Sequence, residues 1–142
     1  MSDILEVLHV LGAVFIVGPM VILPMFALRA IRAGNGTQVR LLAGSALGFG
    51  IATIIVAALG FGVFAMADAD RGWTFATTWV LVSIIATTAA SVVHLGVVVP
   101  ALYGASGDRG ASSFSYALIA STSGLVAILM LVVVVLMVAR PA

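Results

Sequence analysis

The sequence contains no cysteine and no lysine, and charged residues make up only 8% of its 142 positions. Without thiols there can be no disulfides, iron–sulfur clusters or thiolate metal sites. The shortage of charge excludes an ordinary soluble domain, in which about a quarter of the residues are charged. It also leaves no basic patch for nucleic acid: the net charge is +1, carried by scattered arginines. No Ser–His–Asp set, phosphate-cradling glycine loop or pair of carboxylates suited to acid–base work is present.

What the chain has instead is apolar length. Hydrophobic residues reach 63% and gather in four runs, at about 4–31, 41–67, 74–103 and 114–139. Each run exceeds the ~20 residues that cross a hydrocarbon core of ~30 Å. The sequence therefore predicts an all-α, polytopic membrane protein, an antiparallel bundle of four transmembrane helices. Asp3 and Glu6 stand where a secretory signal would be basic, so the first run is expected to be retained. The use of arginine alone, with abundant Ala, Val and Gly, points to a GC-rich bacterial genome.

The connections are short, which makes neighbouring helices antiparallel. Arg29, Arg32, Arg40 and Arg109 fall on the side of the first and third connections, whereas Arg71 and Arg140 fall on the other. The arginine bias assigns the first side to the cytoplasm of a bacterial inner membrane and puts both termini outside. Trp73 and Trp79 then belong to an outer aromatic belt, and Tyr103 and Tyr116 flank the inner side. "VILPMFALRA" in the first run resembles "VVVPALYGAS" in the third, aligning Pro24 with Pro100 and suggesting a duplicated helical hairpin. Pro19, Pro24 and Pro100 each free a carbonyl and bend their helix.

Helices in lipid approach one another through small residues. Gly44, Gly48 and Ala52 recur at four-residue spacing in the second run, and Ser121 and Gly124 lie on one side of the fourth. These are the expected packing faces. Intramembrane ionisable residues are candidates for function, and here they are few. His94 ends a stripe of Ser83, Thr87, Ser91 and His94 whose spacing keeps all four on one helical face. The stripe is either silent packing, its hydroxyls bonded to their own helix, or a polar seam with His94 as proton carrier or ligand. His9 has Glu6 one turn before it and Gly12 and Ala13 one turn after. Glu6 could fix its tautomer, and the small residues could leave space for a flat group such as haem b. A haem shared by both histidines is disfavoured, because their depths differ by roughly 20 Å at 1.5 Å per residue.

"LEVLHVLGAVFIVG" followed by "PMFALRAIRAG" resembles the first helix of a broad group of small bacterial membrane proteins. The group includes the four-helix family called domain of unknown function 2269, the membrane domain of copper-resistance protein D, and protoporphyrinogen oxidase of the J type. His9, Gly12, Gly18 and Arg29 carry the resemblance, over about the first thirty residues. The oxidase type uses a membrane lysine, which this chain lacks, so the uncharacterised four-helix family is the better match.

These readings converge on an integral membrane protein without its own catalysis or cofactor. Its expected role is an accessory or stabilising subunit of a larger membrane assembly, respiratory complexes among the candidates, with the bilayer and other membrane subunits or further copies of itself as partners. Two alternatives stay open: a b-type haem or metal-binding redox protein using His9, Glu6 and Gly12, and a small transporter or proton pathway along the His94 stripe. The cysteine-free background makes the predicted orientation easy to check. In right-side-out vesicles, Ala69→Cys should react with an impermeant maleimide and Ser106→Cys only after permeabilisation; the opposite pattern inverts the topology.

Overall fold

The computed structural model describes the backbone of residues 2–141 and the side chains of residues 3–66 and 72–141. It is an all-helical bundle of four helices long and apolar enough to cross a membrane. Helix α1 (2–32) comprises Ser2–Gly12, a π turn at Ala13–Val17 and Gly18–Arg32. Helix α2 is Gly36–Arg71, and α4 is Ser113–Ala139. Helix α3 (78–105) comprises Thr78–Val93, a π turn at His94–Val98 and Val99–Ala105. Packing runs round a square: α1 on α2, α2 on the latter part of α3, α3 on α4, and α4 back on α1.

The α1–α2 connection is tighter than the polar stretch 32–40 suggests. Gly34 takes φ +66°, and the N–H groups of Gly34 and Asn35 donate back to the carbonyls of Ile31 and Ala30. This is a Schellman closure, which favours glycine at the left-handed position. Asn35 then caps α2, its Oδ1 accepting from the Gln38 N–H at 3.0 Å. Gly36, Thr37, Gln38 and Arg40 are thus helical, although their polarity and turn-forming residues read as a loop. At its other end α2 continues to Arg71, four residues beyond the apolar run that ends at 67, so most of the expected connection to α3 is its last turn. The side chains of Asp68, Asp70 and Arg71 lie outside the described residues.

Proline accounts for both π turns. It has no N–H, and its ring clashes with the carbonyl four residues back. In α1 the N–H of Gly18 reaches to the carbonyl of Ala13, and Pro19 follows; in α3 the N–H of Val99 reaches to His94, and Pro100 follows. Each widened turn accommodates the ring that comes next. By backbone form, the counterpart of Pro100 is therefore Pro19, whereas Pro24 lies inside the α-helical part of α1 and is buried.

The core has two apolar layers. One gathers Ala27 and Ala30 of α1, Val39, Ala43 and Ala46 of α2, Val98 and Leu102 of α3, and Ile119 of α4. The other joins Met20 of α1, Ala90 of α3, and Val126 and Met130 of α4. The expected packing stripes do not form this interior. Gly44 and Gly48 are exposed, Ala52 is half-buried, Ser121 is exposed, and a Cβ on Gly48 or Gly124 would meet nothing within 4 Å. The inner face of α2 is instead Ala43, Ala46, Gly50, Thr53 and Val56, and α4 turns Ser123 inward rather than Ser121. Spacing by four drifts round a helix, whereas this alternation of three and four stays on one face.

Two glycine substitutions separate these roles. Gly34→Ala should destabilise the bundle by about 1 kcal/mol, the cost of a side chain in the left-handed region, whereas Gly48→Ala should be nearly neutral. Equilibrium unfolding in detergent measures both.

Candidate functional site

Both histidines bond to α2. His9 Nδ1 lies 3.0 Å from the carbonyl oxygen of Val56, and His94 Nε2 lies 3.0 Å from that of Ala46. A carbonyl can only accept, so the N–H is on Nδ1 of His9 and on Nε2 of His94. In each case a glycine stands four residues after the accepting carbonyl. A Cβ on Gly60 would come 2.7 Å from His9 Cε1, and one on Gly50 would come 2.6 Å from Leu95 Cδ2 and 2.8 Å from His94 Cδ2. The rings lie in the space a side chain would fill. The two carbonyls are ten residues apart on α2, about 15 Å along the axis, too far for one iron to join both imidazoles.

The group expected around His9 is distributed otherwise. Glu6 does not orient the imidazole; its Oε1 accepts from Arg140 at 3.1 Å, beyond the end of α4. The Arg140 guanidinium also stands 5.4 Å from the centre of the Trp73 ring, which meets Trp79 edge-on at 5.3 Å. The N-terminal part of α1, the end of α4 and the start of the α2–α3 connection are thereby tied together. Space opened by Gly12 is filled by Val56, whose Cγ2 would lie 2.9 Å from a Cβ there. The space expected beside His9 for a flat group is thus occupied: Val56 and the imidazole itself fill the gaps left by Gly12 and Gly60. Among the described residues no cluster of three or more His, Asp or Glu side chains is placed to hold a metal ion.

The His94 stripe is not one connected seam. Ser83 is buried, and its hydroxyl donates to the carbonyl of Trp79 at 2.7 Å, within its own helix. Thr87 and Ser91 are half-buried. His94, fully buried, is the member that reaches another helix. Two further inward-facing hydroxyls escaped the sequence reading. Thr53 donates to the carbonyl of Phe49 at 2.9 Å and lies 3.3 Å from Met20 Sδ; Ser123 is buried on α4. Their burial follows from the three-and-four alternation on α2 and α4, a signal that the denser glycine pattern of Gly44 and Gly48 masked.

At the opposite end from Glu6, basic side chains border two open grooves. One, of about 350 Å³, is lined by Phe26, Arg29 and Leu42 among others. The second, of about 340 Å³, is lined by Thr37, Arg40 and Tyr103. Arg32 stacks on Tyr116, its guanidinium carbon 5.0 Å from the ring centre.

Burial orders the expected effects of removing these groups. His94→Ala should destabilise the protein by about 2–3 kcal/mol, about 1 from the interhelical bond and the rest from the vacated volume. His9→Ala, half-exposed, should cost less than about 1.5 kcal/mol. Glu6→Ala should cost about 0.5 kcal/mol or less, as for other exposed ion pairs. Unfolding midpoints of the three variants test this order. Compared with known proteins, the chain matches no protein-family model, no curated protein and no solved structure.

Proposed function

We propose that this protein is an accessory, stabilising subunit of a larger bacterial inner-membrane assembly, with no catalysis of its own and with both termini outside. The observation that carries the reading is the engagement of both intramembrane histidines by carbonyls of α2. The two histidines act between helices, as fasteners, instead of converging on a shared cleft. The outward surface is correspondingly apolar: Leu131, Val135 and Val138 near the end of α4 are exposed. Such a surface is compatible with lipid and with the helices of a partner.

The experiment combines size with colour. Solubilised in a mild detergent from native membranes, the protein should be colourless and migrate in a complex well above its own mass. A photo-crosslinker at Val138 should join it to a specific membrane polypeptide. A Soret band that disappears in His9→Ala would replace this reading with the haem alternative, and a monomer free of crosslinks would remove the assembly.

A further inference from the structure

We propose that the middle of the bundle holds a binding site for a single water molecule, enclosed between His94 of α3 and Ser123 of α4. The tautomer comes first. Because His94 Nε2–H donates to the Ala46 carbonyl, Nδ1 carries a bare lone pair and needs a donor. It is buried and has no partner. The Ser123 hydroxyl is buried without a partner too. That is unusual within this protein, since Ser83, Thr53 and Thr122 all donate to a carbonyl one turn back on their own helix.

The packing register sets the two groups opposite each other. Helices α3 and α4 are antiparallel. Val98 and Ile119 share the layer near the basic end, and Ala90 and Val126 share the next one. His94 lies midway between Ala90 and Val98, and Ser123 lies between Ile119 and Val126. The polar pair therefore occupies the level between the two apolar layers, where Gly50 makes room for the imidazole. The two atoms are not within hydrogen-bond distance, or each would be the other's partner. Two buried polar atoms at one level that do not bond directly are a setting for a bridging water. One molecule suffices: it donates one hydrogen to Nδ1 and bonds the serine oxygen with its remaining capacity. Two or more polar partners are what a buried water requires. The inference concerns the interior alone and stands whether or not the protein belongs to an assembly.

The test uses the full-length protein, labelled with ¹⁵N-histidine, in phosphatidylcholine bilayers. Solid-state NMR should show His94 protonated at Nε2, with Nδ1 shifted by hydrogen bonding and receiving magnetisation from water protons. Ser123→Ala should abolish that transfer while the Nε2–H signal persists. Ser123→Val, which fills the gap and evicts the water, should lower the unfolding midpoint. The proposal is overturned by a wild-type Nδ1 that receives nothing from water, by transfer unchanged in Ser123→Ala, or by transfer from the serine hydroxyl itself. A higher midpoint for Ser123→Val would mean the gap is dry, and would overturn it as well.

Discussion

The hydrogen bond from His94 Nε2 to the carbonyl of Ala46 sets the terms for the rest of this bundle. In a hydrocarbon core nothing outside the protein can satisfy an imidazole N–H, so the partner must come from the fold. A backbone carbonyl in an intact helix has a spare lone pair, but side chains normally crowd it. Position 50 removes the obstruction by having no side chain. Farther along α2, His9 uses Val56 and Gly60 in the same way. Helix α2 thus presents two matched carbonyl–glycine seats, and α1 and α3 are each fastened to it at one of them.

Other features follow from keeping those contacts in place. The π turns before Pro19 and Pro100 absorb rings that would otherwise break α1 and α3. Apolar layers lie on either side of the His94 level and exclude lipid from it. The ends are held by weaker chemistry at the water boundary: a glycine-closed turn with an asparagine cap, and the Glu6–Arg140–Trp73 group. Exposed contacts of that kind contribute little individually, yet they tie the ends of the helices to one another. Beyond Ser121 the exposed face of α4 is apolar, with Leu125, Ile128, Leu131, Val135 and Val138 outward, and this accords with the accessory role between lipid and partner helices that we propose.

The architecture was legible because it rests on one coarse constraint, the length of apolar chain needed to cross a bilayer. The helix count and the bundle could be read directly from the four runs. Boundaries were less legible: Asn35-Gly-Thr-Gln38 has the composition of a loop and becomes a cap and first turn once Gly34 closes α1. The site was legible only in its members. His9 and His94 stand out as intramembrane ionisable groups, but their partners are carbonyls, and every residue has one. No side-chain pattern marks Val56 or Ala46 as acceptors. Gly50 and Gly60 were hidden by the more regular Gly44 and Gly48, which face outward. Glu6 was paired with His9 by proximity in sequence, whereas its true neighbour is 134 residues away.

The central claim is that the imidazole of His94 and the missing side chain of Gly50 are one device. A double-mutant cycle on the unfolding free energy tests it most directly, using Gly50→Ala, His94→Ala and the pair. The methyl group should cost more with the ring present than without it, giving a coupling of about 1 kcal/mol or more, while its 2.6 Å approach to Leu95 Cδ2 leaves a smaller cost in both backgrounds. Strictly additive effects would contradict the account.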